Sequence, residues 1–257
     1  MSRHFGLSIV AATTLTLLVA SCSGEPQSSG SSSPSPSTTA SVTPSSTAST
    51  PTSNPTPTKP PVAPQRTAAQ LTKALLALDD LPAGISIDPD SGDEGDDAKM
   101  SSKDPKCAKL VAYSNADTAP GSKASAFRSY SASEQGPFID EGLDAMGSPA
   151  AVQALQNSFR QAIRACRGMT LTIPGEGRSP ITVREVSAPK VGSTPAAVRY
   201  SASSGPLEGL EVTMVTTGVQ DVVVSVTVMG GAPGDIEFLT KAAVDKATKT
   251  LGATSGT

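Results

Sequence analysis

The chain has 257 residues, with 20 Lys and Arg against 23 Asp and Glu, a formal charge of −3, and three Tyr, five Phe and no Trp. With no basic stripe and no interleaved aromatics, this composition excludes a nucleic-acid-binding surface. Its only histidine is His4, so once an amino-terminal leader is removed no imidazole remains for a Ser/His/Asp triad or for most zinc sites.

Residues 1–21 carry Arg3 and no acid, then an apolar run from Phe5 to Ala20 ending in small residues. That is the layout of a secretory signal, too short and too diluted by small residues for a membrane span. The stretch Val19-Ala20-Ser21-Cys22 resembles the bacterial lipobox, in which the Cys thiol receives a diacylglyceryl group and cleavage follows just before it. An ordinary cleaved signal with a chance cysteine is the competing reading. Each buried methylene adds about 0.8 kcal/mol of membrane affinity, so two acyl chains hold where one is marginal. Cys22 is therefore the predicted lipidation site, placing the protein on the outer face of the cell membrane. From residue 22 to 64 the chain is almost entirely Ser, Thr, Pro, Ala and Gly with only Glu25 and Lys59 charged, a tract unable to bury apolar surface and expected to act as a disordered tether. Removal of Cys22 from the count leaves Cys107 and Cys166, which in an exported chain reads as one disulfide; two buried free thiols are the alternative.

Residues 65–252 have the length and aliphatic content of one domain, followed by a flexible tail at 253–257. Thr67 and Gln70 are spaced as a capping box, opening a helix with Leu71, Leu75 and Leu78 on one stripe and a stop at Asp79-Asp80-Leu81-Pro82-Ala83-Gly84. Asp104 and Pro105 start a short helix that turns Cys107, Leu110 and Val111 inward. Residues 122–146 are the least distinct, with strands read near Ala124 to Tyr130 and Phe138 to Ala145. Ser148 and Pro149 open a third helix with Val152, Leu155, Phe159, Ala162, Ile163 and Cys166 on its apolar face and Gly168 as its stop. Alternation then marks strands at Met169 to Ile173, Ile181 to Val183, Ala196 to Tyr200, Leu210 to Met214 and Val222 to Val228, with a turn expected at Thr217-Gly218. A closing helix runs from about Asp235 to Leu251, burying Ile236, Leu239, Ala243 and Ala247 and offering Glu237–Lys241 and Asp245–Lys249 as solvated pairs. The pattern predicts an α+β fold, an antiparallel sheet of about five to six strands with helices packed on one face.

Candidate chemistry is sparse. Ser187-Ala188-Pro189-Lys190 has the spacing of a serine with a lysine base, but Pro189 opposes the helical turn that would join them. Gly175-Glu176-Gly177-Arg178 reads as a hairpin loop, and Gly230 to Gly234 as a strand-to-helix turn without a phosphate motif. Asp88, Asp90, Asp93, Glu94, Asp96 and Asp97 form an acidic run that fails the calcium-loop template and is expected to be solvated. Asp140, Glu141 and Asp144 are the carboxylates a glycoside hydrolase would need, or else the outward face of a strand. Tyr113, Tyr130, Tyr200 and Arg128 are candidates to line a cleft.

The signal and Ser/Thr/Pro tether, the helix running into Asp79-Asp80-Leu81-Pro82-Ala83-Gly84, the cysteine pair and the helix–meander–helix order together resemble exported actinobacterial lipoproteins related to the PknH-like extracellular sensor domain, and more loosely the LpqN-like lipoproteins. That resemblance implies a ligand-receiving module with a cleft. The kinase sensor has two disulfides where this chain has cysteines for one, and this chain carries no kinase. The expected function is thus a membrane-anchored extracytoplasmic lipoprotein with a non-catalytic binding or sensor-like domain, needing no cofactor and no metal. Its expected partners are the membrane, through the lipid at Cys22, and a small-molecule, lipid or envelope-protein ligand. A lipid or glycolipid carrier with an apolar cavity and a carboxylate-dependent envelope hydrolase are the alternatives.

Overall fold

The capping box at Thr67 forms as its spacing requires: the Thr67 side chain accepts from Gln70 N, and Gln70 Oε1 accepts from Thr67 N. The helix it starts, α1 (Ala68–Ala74), belongs to a computed structural model that describes residues 65–88 and 98–252. The predicted signal peptide (1–21), Cys22 with the tether (22–64), most of the acidic run and the tail (253–257) lie outside the described residues.

Chain order continues with β1 (Ser86–Asp88), β2 (Lys99–Ser101), α2 (Ala108–Ser114), β3 (Ala124–Ser131), β4 (Phe138–Ala145) and α3 (Pro149–Ala165). It ends with β5 (Gly168–Ile173), β6 (Gly177–Val186), β7 (Ser193–Ala202), β8 (Glu211–Val219), β9 (Val222–Met229) and α4 (Asp235–Gly252). The nine strands of the described residues join one antiparallel sheet in the order β1-β3-β4-β9-β8-β7-β6-β5-β2. The α+β class is the one expected, but the sheet is larger than five to six strands. Its two outermost strands, β1 and β2, have three residues each, too few to show an alternation.

Helices cover both faces of the sheet, a departure from the single covered face expected. On β9, Val222, Val224, Val226 and Val228 pack into the core formed with α1 and α4, whereas the intervening Val223 packs with Val152 of α3. Successive strand residues point to opposite sides, so α1 and α4 lie on one face and α3, with α2, on the other. The apolar run Val222–Val223–Val224 is the mark of a strand buried on both sides. The second core gathers Leu110, Phe159, Ile163, Met169, Ile181 and Val198 beneath α2 and α3.

Local differences from expectation have local causes. Leu75 leaves α1 in extended geometry, which turns Leu76 into the core and leaves Leu78, in a short 3-10 turn, 45% exposed. The β8–β9 turn falls at Gln220 and Asp221, with Gln220 at φ 55, not at Thr217-Gly218. Gly218 is an in-strand glycine because a Cβ there would stand 2.6 Å from Val152 Cγ1, so the glycine lets α3 approach the sheet. Gly168 opens β5 and does not stop α3, whose last turn is capped by Cys166. On α4, Lys241 pairs with Asp245, and Lys246 reaches Asp80 at 2.7 Å, in place of the expected pairs.

The start of the domain is tied down by Arg66. Its Nε donates to Asp221 Oδ1 at 2.8 Å in the β8–β9 turn, and Nη1 donates to Leu251 O at 3.2 Å at the end of α4.

Candidate functional site

Ser148 caps α3 by accepting from Ala151 N, and Asp104 caps the turn before α2 by accepting from Lys106 N. These caps fix where two helices begin above the sheet. Cys107, ending that turn, and Cys166, capping α3, are joined by a disulfide with a Cα–Cα distance of 4.5 Å. Further along, the Tyr113 ring meets Phe159 edge-on with centroids 5.6 Å apart, and Tyr113 Oη lies 2.8 Å from Ser158 Oγ. The pair α2–α3 is thus a clamped roof.

Between this roof and the sheet is a cleft of about 420 Å³, within the size range of small-molecule sites. One end is apolar, lined by Met100, Leu171, Ile181, Leu210, Val212 and Met214. The other is polar. Register places Asp140 beside Thr227, Gly142 beside Ser225, and Asp144 beside Val223 across β4 and β9, with Thr216 of β8 next to Ser225. Gln156 of α3 hangs over this grid, 1% exposed, and accepts from Thr216 Oγ1 at 2.7 Å. Gln156 Nε2 and Asp144 Oδ1 are buried with no hydrogen-bond partner among the described residues. Such groups are rare, since leaving one unpaired costs about 1–3 kcal/mol.

Burial pushes the carboxyl of Asp140 up from its ordinary value, opposed by the Ser129 hydroxyl, which donates to Oδ1 at 2.5 Å; the negative charge of Asp88 adds to the rise. Burial also raises Asp144, against the Ser122 hydroxyl and the Ala119 backbone N–H. Tyr200, on the cleft, is raised by burial and partly relieved by Ser114, whose Oγ lies 3.5 Å from its hydroxyl. Phe127, 58% exposed, stands at the rim.

The structure divides the candidates read from sequence. Tyr113 and Tyr200 line the cleft. Tyr130 and Arg128 face the opposite side, where both reach Leu76 O, at 2.8 and 2.6 Å. Glu141 is on that side too, accepting from Leu76 N at 2.8 Å, so it never meets Asp140 and Asp144. Asp140 and Asp144 share a face but are four residues apart on a strand, about 13 Å between Cα atoms at about 3.3 Å per residue. Ser187 and Lys190 sit exposed in a non-helical loop. Gly175 and Glu176 lie in the β5–β6 hairpin loop, and in the turn before α4 Ala232 N donates to Asp235 Oδ2, leaving that amide for no anion. Among the described residues no His, Cys, Asp and Glu cluster could hold a metal, and no helix is long and apolar enough to cross a membrane. Gln156, Thr216, Ser225 and Thr227 were not among the sequence candidates. Gln156 alone left a signal, as a polar residue between Val152 and Phe159 in an otherwise apolar stripe.

A roofed cleft in an antiparallel α+β domain, clamped by a disulfide, defines an extracytoplasmic class of domain, because such bonds persist in oxidising compartments. The chain belongs to the PknH-like extracellular domain family, whose model matches residues 66–248. The extracellular domain of PknH from Mycobacterium tuberculosis has the same fold, with a TM-score of 0.52 at 14% identity, over 74% of this chain and 98% of that one. A putative uncharacterized protein from Mycobacterium smegmatis aligns with a TM-score of 0.39 at 13% identity, over 71% of this chain and 95% of that one. No curated protein matches the chain. The protein is therefore an extracytoplasmic, sensor-like domain.

Proposed function

We propose that this is a membrane-anchored lipoprotein whose domain receives a ligand in the cleft between the α2–α3 roof and the sheet, without catalysing a reaction. The observation that carries the reading is the cleft itself, with two unpartnered polar atoms at one end and apolar walls at the other. Unpaired buried groups beside an open volume are what a ligand can satisfy. The family's extracellular character and the predicted leader at residues 1–21, just before Cys22, support that location.

The lipid or glycolipid carrier keeps some support from the apolar end of the cleft. Native mass spectrometry of the purified protein separates the two readings: co-purified lipid favours the carrier, and an empty protein that takes up small ligands favours the receptor. A Ser225→Phe variant, which fills the cleft floor, should lose binding of either kind. A hydrolase finds less support, because Glu141 lies across the sheet from Asp140 and Asp144, so the three carboxylates do not share one site. For the anchor, Cys22→Ala should shift the protein from the membrane fraction to the medium, read by fractionation and immunoblot. Retention of the variant on the membrane would remove the lipid from the proposal.

A further inference from the structure

The charge of the cleft is one-sided. Asp117, Asp140 and Asp144 contribute to its lining, and among the described residues no Lys, Arg or His does. At the polar end, Asp144 is 9% exposed with Oδ1 unpartnered among the described residues, and Gln156 is 1% exposed with its amide Nε2 unpartnered and its Oε1 on Thr216. The Thr216 hydroxyl can donate or accept, so the Gln156 amide can turn its carbonyl toward the cleft and still keep that bond. In that orientation the site offers a buried carboxylate oxygen and a buried amide oxygen as two acceptors.

Ligand heads sort on these grounds. A carboxylate or phosphate would enter a poorly solvated recess against like charges, with no cation among the lining residues to offset it. A hydroxyl could satisfy one acceptor. An ammonium carries three donors and the complementary charge, so it can meet Asp144 and Gln156 together. The apolar walls from Met100 and Leu171 to Met214 then take a hydrocarbon body.

We infer that the cleft selects a cationic amphiphile, its ammonium head seated between Asp144 and Gln156 and its apolar body lying under the α2–α3 roof. This rests on the reading of the cleft as a ligand site and adds the chemistry of what enters it.

The test is isothermal titration calorimetry of the full chain, which has no Trp to report binding, with n-octylammonium, 1-octanol and octanoate, three probes sharing one tail. Octylammonium should bind about tenfold or more tightly than octanoate, with octanol between. Asp144→Asn, nearly identical in shape, should remove that preference while thermal melting and circular dichroism confirm the fold. Gln156→Leu should weaken octylammonium and leave octanol nearly unchanged, which keeps the inference testable if Asp144→Asn fails to fold. Equal binding of all three probes, or a preference for octanoate, would overturn the head selectivity and leave the cleft as a ligand site. A preference that survives Asp144→Asn would assign it to the overall negative charge and overturn the seat. Binding of none would overturn the cleft as an amphiphile site as well.

Discussion

Glu141 is fully buried beneath α1 with Oε2 shared between Leu76 N, at 2.8 Å, and the Tyr130 hydroxyl, at 3.0 Å, while Oε1 has no partner. Burial pushes its carboxyl up to about 7, against the Leu76 N–H, Tyr130 and Arg128, which pull it down, and with Asp80, which adds to the rise. A carboxyl raised on folding binds its proton more tightly in the native state. The stability linked to Glu141 is thus greatest below about pH 4.5 and declines as pH climbs through 7, by on the order of 3 kcal/mol at most. A glutamine keeps an oxygen for Leu76 N and carries no charge. Glu141→Gln should melt several degrees higher than the parent at pH 8 and at about the same temperature at pH 5. Parallel melting curves for parent and variant across that range would show that the carboxylate is not strained. Tyr130, raised by burial and by the Glu141 charge beside it, stays neutral throughout.

Individual elements show what a one-dimensional pattern can and cannot carry. The caps at Thr67, Asp104 and Ser148 were legible because each needs only a side chain and a backbone donor two or three residues away. The long strands were legible from alternation, including β3 and β4 in the least distinct segment. Gly218 and Gly168 misled, since a glycine chosen for close approach of a helix or for a strand start looks in sequence like a turn or a stop. The cysteine pair was read from parity, and the structure adds its purpose: it ties the turn before α2 to the last turn of α3 at one end of the cleft roof. Fifty-nine residues separate the two cysteines, and closing such a loop restricts the unfolded chain by about 4 kcal/mol in the chain-entropy model. The double variant Cys107→Ala/Cys166→Ala should therefore lose about 2–5 kcal/mol in denaturant unfolding and bind cleft ligands more weakly. A variant that is equally stable but binds as tightly as the parent would mean that the packing of Tyr113 on Phe159 holds the roof alone.

At the scale of the whole molecule, the fold class was readable and the size and sidedness of the sheet were not. Three-residue strands at the margins carry no periodic signal, and which face a helix covers depends on register between distant segments. The cleft was illegible for the same reason. Asp140, Ser225, Thr216 and Gln156 become neighbours only once β4, β9 and β8 lie side by side under α3.

Arg66 binds the β8–β9 turn and the end of α4, and α1, which follows it directly, packs with α4 on the face opposite the cleft. Entry and exit of the polypeptide are thereby stitched together behind the sheet. The described part of the chain therefore starts and ends behind the sheet, away from the cleft. A partner fused directly to Gly252 should leave the rim at Phe127 uncrowded.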